Sequence, residues 1–408
     1  MFDGFLRVAA ATPDIRVADC NFNGASAAAL VSEAYEQGVS LLVLPELCLT
    51  GYTCSDLFLQ ESLLDGAGKA LLTLTEATRG KNMVVLAGLP LTVNGVLYNV
   101  AAVLHDGDIL GFVPKSYLPT YSEFYEGRHY HSGADIETDV LFNGRTYPFG
   151  TRLLFRCRQM PAFTLGIEIC EDLWVAQPPS ISHALAGATV IANLSASDET
   201  TGKDIYRRSL VSGQSARLVC GYIYADAGEG ESSTDLVFGA HNLICENGSI
   251  LAESERFSNQ MIMADMDMSK LISERRRMTT WQPKFDNGYR VIDFDLEMHE
   301  VDLRRFIDPH PFVPDDAMDR TRRCEEILTI QAMGLKKRLA HCRHAVVGIS
   351  GGLDSTLALL VTVRAFDMLD MDRSQIMAVT MPCFGTTDRT YHNACELVRR
   401  LGATLEEV

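Results

Sequence analysis

The chain contains no window of 18 apolar residues among its 408, which excludes a conventional membrane-spanning helix. Its first ten residues are too short and too weakly basic for a secretory signal, so a secreted reading is excluded as well. Basic residues are scarce: 36 Lys and Arg stand against 53 Asp and Glu, for a net charge of −17. Binding a phosphate backbone needs a basic face, so a generic nucleic-acid binder is excluded. None of the eleven cysteines forms a C-x-x-C pair, and their number is odd. This pattern speaks for free thiols in a reducing cytoplasm and against a disulfide framework or a zinc ribbon. The histidines show no H-E-x-x-H spacing, so no protein-held zinc is expected. Internal repeats and low-complexity tracts are absent too. With 47% hydrophobic and 22% charged residues, the composition is globular.

What is present is an alternation of strand and helix signals. Residues 5–11 read as a strand, 25–37 as an amphipathic helix and 39–44 as a short buried strand. Strand signals recur at 83–89, 97–104, 109–113, 163–170, 189–194 and 221–225, with helices near 181–186 and over 204–219. Polar, glycine-containing turns at 105–108 and at Glu246-Asn247-Gly248 mark two hairpins. Hairpins mixed with crossovers predict two sheets packed between helices. Periodicity fades from 268, Arg275-Arg276-Arg277 reads as a solvated basic patch, and 308–314 (DPHPFVP) is proline-rich, which predicts a linker. Beyond it, helix signals over 316–339, 355–365 and 392–401 alternate with strands at 345–349 and 376–381. That is the opening of a parallel βαβ fold, with about two strands laid down.

Three residues capable of amide chemistry each follow a strand-like run: Glu46, Lys115 and Cys170. A thiol has a pKa near ~8.5, so a carboxylate must take its proton or a cation must stabilise the thiolate. Attack of sulfur on an amide carbon turns the carbonyl oxygen into an oxyanion, which a lysine beside it would stabilise. Singly, each has a plainer reading: a solvated glutamate, a surface lysine, a small buried thiol.

The surrounding words are more specific. LPELCLTGY (44–52), PKSYLPTYSEFYEGR (114–128) and GIEICEDLW (166–174) occur in the order Glu, Lys, Cys. They resemble the nitrilase superfamily, and within it the glutaminase half of the glutamine-dependent NAD synthetases. The resemblance implies an α/β fold of the αββα nitrilase-type sandwich. It also implies Glu46 as general base, Lys115 stabilising the oxyanion, Cys170 forming a γ-glutamyl thioester and Glu126 as an additional positioning glutamate. Tyr121, Ser197 and Lys203 match that family's glutamine pocket. Lys203 and the hydroxyls would meet the α-carboxylate of glutamine, and Glu171 its ammonium.

A second site is expected in the last quarter of the chain. Gly348-Ile349-Ser350-Gly351-Gly352-Leu353-Asp354-Ser355 joins a strand to a helix start. Its glycines let backbone N–H groups approach an anion, and a helix N-terminus adds partial positive charge. The loop lacks the lysine and spacing of a Walker A loop and does not fit G-x-G-x-x-G. Ser-Gly-Gly-x-Asp-Ser resembles the pyrophosphate loop of adenylating amidotransferases, which split ATP between its α- and β-phosphates. Asp354 would act through Mg2+, because a bare carboxylate repels phosphate. FGTTDRT (384–390) also resembles the synthetase half.

The resulting expectation is residues 1–266 as glutaminase, 267–315 as linker, and 316–408 as the first part of a doubly wound parallel-sheet ATP-pyrophosphatase domain. The resemblance implies glutamine, ATP and deamido-NAD as small-molecule partners, ammonia passed internally, a cytoplasmic location and a homo-oligomer. The short second part leads us to expect glutamine hydrolysis with little or no NAD formation. An amidase feeding another adenylated carboxylate and a non-catalytic structural or regulatory fragment remain alternatives.

Overall fold

The structure, a computed structural model, describes residues 4–284, 288–314, 316–382 and 387–408. The chain divides into two compact units, Met1–Arg305 and Phe306–Val408.

In the first unit, β1 (Phe5–Ala11), β2 (Leu41–Val43), β3 (Val84–Val93), β4 (Val96–His105), β5 (Asp108–Pro114), β6 (Glu137–Phe142) and β7 (Arg145–Gly150) build one sheet. A second sheet follows from β8 (Leu153–Cys157), β9 (Thr164–Ile169), β10 (Val190–Ser195), β11 (Gly221–Asp226), β12 (Leu243–Glu246) and β13 (Ser249–Glu253). Strand β14 (Met261–Asp267) then returns to pair antiparallel with β1, and β15 (Arg290–Phe294) pairs parallel with β8. The orders are β14-β1-β2-β3-β4-β5-β7-β6 and β13-β12-β11-β10-β9-β8-β15.

Strand alternation sorts the apolar residues into three cores. Val8, Ala10, Leu41 and Val43 of the first sheet meet Ile167, Ile169, Ala192 and Leu194 of the second. On the other face of the first sheet, Ala9, Leu42 and Val85 pack with α1 (Cys20–Glu36) and α2 (Glu61–Ala77), through Val31 and Ala34 and through Ala67 and Leu71. On the outer face of the second sheet, Ile191, Tyr222 and Tyr224 pack with α3 (Pro179–Leu185) and α4 (Lys203–Leu218), through Ala184 and Val211. The layers are therefore α, β, β, α, the expected sandwich.

The stretch expected as a linker is structured as far as Arg305. Helix α5 (Met268–Arg277) opens it, and β15 completes the second sheet. Arg305 donates to both carboxylate oxygens of Glu246 at 2.6 and 2.9 Å, and the Arg304 N–H donates to Asp265 Oδ2 at 2.7 Å. A five-residue edge strand gives too few periods to stand out in a sequence. Nor is Arg275 part of a solvated patch: its guanidinium donates to the carbonyls of Ala188, Leu218 and Val219, closing the end of α4. Arg276 and Arg277 are exposed.

One glycine is set by the site it supports. Gly88 lies in β3 beneath the turn that carries Glu46, and a Cβ there would fall 2.2 Å from the Leu47 nitrogen. Gly88→Ala is expected to lower stability by about 1–3 kcal/mol through overpacking, read as a lower urea midpoint.

In the second unit, β16 (Ala345–Gly348), β17 (Ile376–Thr380) and β18 (Thr404–Glu407) form a parallel sheet in that order. With α6 (Ala317–Cys342), α7 (Leu353–Asp367) and α8 (Asp388–Leu401), they enclose Leu359, Phe366, Ala378 and Val398. The sheet has a third strand where two were expected. Phe384, Gly385 and Thr386 of the FGTTDRT stretch lie outside the described residues. Among the described residues no helix is long and apolar enough to cross a membrane. The described cysteines are all free thiols, with Cys324 and Cys342 exposed and the others buried.

Candidate active site

Strand ends deliver the reactive side chains. Glu46 lies in the turn after β2, Lys115 directly follows β5, and Cys170 opens a 3-10 turn, Cys170–Leu173, directly after β9. Cys170 takes the left-handed conformation, φ 46°, which is uncommon for a residue with a Cβ and turns the chain sharply. Its N–H donates to Asn193 Oδ1 at 3.1 Å. Glu126 comes from a second short turn, Glu126–Arg128. All four side chains are buried, with no residue above 5% exposure.

Lys115 is the hub. Its Nζ donates to Glu46 Oε1 at 2.7 Å and to Glu126 Oε1 at 2.6 Å. Asn99 Nδ2 also donates to Glu46 Oε1, at 2.6 Å, and the Ala196 N–H donates to Glu46 Oε2 at 3.0 Å. Tyr52 donates its hydroxyl proton to Glu126 Oε1 at 2.8 Å, while Glu126 Oε2 is buried without a partner. Burial alone would lower the Lys115 ammonium, but Glu126 and then Glu46 outweigh it and hold its pKa well above the usual value. Burial raises the Glu126 carboxyl, with Lys115 opposing it. Burial, then Glu46, also pushes the Cys170 thiol up, with Lys115 acting the other way. A thiol in such surroundings would lose its proton as it attacked a carbon, and a carboxylate such as Glu46 has oxygen lone pairs that can receive one.

The expected glutamine-pocket residues are placed as follows. Tyr121, 57% exposed, donates to Glu171 Oε1 at 2.8 Å. Burial and then Glu171 raise the Tyr121 phenol to about 12. Lys203 pairs with Asp198, and its ammonium lies 5.5 and 5.7 Å from the centroids of the Trp174 and Phe124 rings. It is thus already engaged, where the sequence suggested an open cation. Ser197 is buried, its Oγ accepting from Arg207 Nη2 at 3.1 Å.

Arg207 is a buried partner of this segment that the motifs do not reveal. Its buried guanidinium donates to Glu199 at 2.5 Å, to His241 Nδ1 at 3.0 Å and to the Asp198 carbonyl at 3.1 Å. It lies 3.9 Å from Asp226 Oδ2, and the Asp226 carboxyl is raised to about 7, chiefly by burial. Asn99, Asn193 and Tyr52 are further partners of the site. Only Tyr52 falls within a recognisable motif.

A cavity of about 180 Å³ reaches the site from the Glu126 side, lined by Tyr52, Phe58, Glu126, His129, Tyr130 and Asp235 among others. Cys170 does not line it.

The loop of the second unit is tightly folded. Gly351 has φ +81°, and a Cβ there would fall 2.1 Å from the Thr390 carbonyl oxygen. Ser355 Oγ accepts the Ser350 N–H at 3.2 Å and donates to the Gly352 carbonyl at 3.1 Å, folding the loop over the start of α7. Gly348 and Ile349 bring the chain out of β16, and Ile349 is buried, its N–H donating to the Val379 carbonyl at 2.8 Å. Ser350, Gly352, Leu353 and Asp354 stand at the surface or close to it, with Asp354 in the first turn of α7. Among the described residues no group of three or more His, Cys, Asp or Glu side chains could hold a metal ion.

Comparison with known proteins supplies the family. Residues 329–408 match NAD synthase, and residues 7–276 match Carbon-nitrogen hydrolase. The chain is 43% identical, over 99% of its length, to the glutamine-dependent NAD(+) synthetase of Mycobacterium tuberculosis, and covers 61% of that protein. It is 28% identical to the protein of the same name from Thermotoga maritima, with 97% of this chain and 64% of that one covered. This chain thus spans about three fifths of the length of the curated relatives it matches. Among solved structures, a glutamine-dependent NAD(+) synthetase from Cytophaga hutchinsonii superposes with a TM-score of 0.59 at 23% identity, over 99% of this chain and 65% of that one. A carbon-nitrogen hydrolase from Helicobacter pylori superposes at 0.54 and 18%, over 68% of this chain and 94% of that one. At these identities the two structures establish the fold alone. With a family match running from residue 7 to 276 of 408, the chain belongs to the carbon-nitrogen hydrolase family.

Proposed function

We propose that the first unit hydrolyses glutamine to glutamate and ammonia, and that the second binds ATP in the amidation of deamido-NAD to NAD. The observation that carries the reading is one buried ammonium, Lys115, held by Glu46 and Glu126 next to a buried thiol. The names of the relatives support the choice of glutamine and of NAD.

In this reading Cys170 Sγ attacks the side-chain amide carbon of glutamine while Glu46 takes the thiol proton. Lys115 meets the oxyanion, a preorganised donor worth about 3–4 kcal/mol in such sites. Collapse of the intermediate breaks the C–N bond, Glu46 returns the proton to the leaving nitrogen, and ammonia departs. A water molecule, deprotonated by Glu46, then hydrolyses the thioester to glutamate and the free thiol. Glu126 holds Lys115 together with Glu46. Tyr121, Glu171, Ser197 and Lys203 form the polar end of the glutamine pocket, with Lys203 shared between Asp198 and the substrate carboxylate.

In the second unit, the N–H groups of 350–353 and the hydroxyls of Ser350 and Ser355 would take the pyrophosphate portion of ATP, and Asp354 its Mg2+. Adenylation of the nicotinate carboxylate would release pyrophosphate, and attack of ammonia on the acyl-adenylate would then displace AMP. A cytoplasmic homo-oligomer belongs to the same reading.

The test is glutamate release from glutamine by wild type and by Cys170→Ala. Release that depends on the thiol is expected; equal rates in both would end the glutaminase reading. Protection of the 350–355 amides from hydrogen exchange by ATP with Mg2+ tests the second half separately.

A further inference from the structure

We infer that Asp172 is a positioning residue for the amide-cleaving site, holding the loop behind Lys115 against the turn that carries Cys170. The inference rests on the glutaminase reading, since it assigns a part in that reaction.

Asp172 is 1% exposed and lies two residues after Cys170. Its Oδ1 accepts the N–H of Tyr117 at 2.9 Å and of Ser116 at 3.1 Å, and its Oδ2 accepts the N–H of Ile169 at 2.9 Å. Ser116 and Tyr117 directly follow Lys115, just past the C-terminal end of β5 in the first sheet. Ile169 ends β9 in the second sheet and directly precedes Cys170. One carboxylate therefore ties the backbone behind the ammonium to the backbone on either side of the thiol.

The backbones of Lys115 and Cys170 are otherwise anchored each within its own sheet. The Lys115 N–H donates to the Asn99 carbonyl at 2.9 Å, and the Lys115 carbonyl accepts the Gly133 N–H at 2.8 Å. Cys170 is held by Asn193, from β10. Glu46 has its own bridge between the sheets, through its N–H to the Ser195 carbonyl at 3.3 Å and its carboxylate to the Ala196 N–H. Asp172 supplies the corresponding bridge for Lys115.

The chemistry of the position favours a carboxylate. Both oxygens face N–H donors, so an asparagine satisfies one group of donors and sets its own NH2 against the other. The two segments would then part. Lys115 Nζ has to lie within hydrogen-bond reach of an oxyanion formed on the carbon that Cys170 attacks, and a misplacement of about 1 Å costs on the order of 10²-fold in such steps.

The test is saturation kinetics of glutamine hydrolysis by the full chain. Asp172→Asn is expected to lower kcat by about 10²-fold with KM within about threefold, because the Asp172 carboxylate bonds the backbone of Ser116, Tyr117 and Ile169 and not the side chains of Tyr121, Glu171, Ser197 or Lys203. Leu74→Ala, on the buried face of α2, serves as a control that loses stability and leaves kcat per folded molecule unchanged. If Asp172→Asn matches the control, the role is structural and the inference is overturned. Should the Asn variant not accumulate folded, Asp172→Glu keeps both acceptors on a longer stem. It is expected to lower kcat selectively, and wild-type kcat there overturns the inference equally. A wild type that releases no glutamate would end the glutaminase reading itself, a separate outcome from an active wild type beside an equally active Asp172→Asn.

Discussion

Lys115→Met is expected to lower kcat for glutamine hydrolysis by about 10³-fold and to destabilise the first unit by about 3–5 kcal/mol. The kinetic loss follows from removing the one ammonium placed for the oxyanion. The stability loss has a different origin. Lys115 neutralises two carboxylates, Glu46 and Glu126, whose side chains are no more than 4% exposed, and a methionine would leave both buried without a cation. Truncating one partner of a buried ion pair costs more than the pair contributed, because the remaining charge keeps its desolvation penalty. The variant's stability should also acquire a pH dependence. Without the ammonium, Glu126 in particular titrates higher in the folded than in the unfolded chain, where a glutamate has a pKa near ~4.3. An acid with a raised folded pKa is tolerated below the unfolded value and costs stability as pH rises through the folded value. Urea midpoints should therefore show a larger deficit against wild type at pH 8 than at pH 5, and a deficit equal at both would contradict this account of the cluster.

Arg207→Met is expected to cost about 3–5 kcal/mol as well, with a fall in kcat that Lys115 does not explain. Arg207 holds the segment 197–199 from inside, through Ser197 Oγ, the Asp198 carbonyl and Glu199. That segment continues directly from Ala196, whose N–H donates to Glu46. Losing the guanidinium strands Asp226, leaves Glu199 with only Arg256 at 3.4 Å as a cationic partner, and removes the donor to His241 Nδ1, which accepts only in the neutral ring. Asp226→Asn added to Arg207→Met removes the stranded charge. The double variant should be more stable than additivity predicts by about 1–3 kcal/mol, and an additive result would show that Asp226 does not share the guanidinium. Chemical denaturation of the four proteins reads the cycle directly.

The sandwich was legible because its central strands are short apolar runs buried on both faces, and each of the three catalytic words closes such a run. Helix α1 begins at Cys20, five residues before the expected start. Asp19 caps it by accepting the Phe22 N–H at 3.1 Å, and the polar first turn hides the apolar stripe. Helix α2 lies outside the expected elements although Leu63, Ala67, Leu71 and Leu74 form a stripe. Strand β6 is largely exposed and β7 opens on two exposed residues, so alternation along them is weak, and only the Asn143-Gly144 turn betrays the hairpin. The supporting residues were harder. Asn99, Asn193 and Arg207 are polar residues whose partners lie in other elements, and Asn99 and Glu46 are 53 positions apart. Local pattern carries no trace of such pairs, because strands distant in sequence must take their places in a sheet before the partners meet. Asp172 sat inside a recognised word, yet its reach to Ser116 and Tyr117 is visible only across the sheets.

The central claim is that Cys170 attacks glutamine as Lys115 stabilises the oxyanion. Acid quenching during turnover, followed by mass analysis of the peptide that contains residue 170, tests it most directly. The account predicts a glutamyl group on Cys170 in wild type, with glutamate in solution, and neither in Cys170→Ala. Glutamate release with Cys170 never acylated, or release that survives Cys170→Ala, would contradict it.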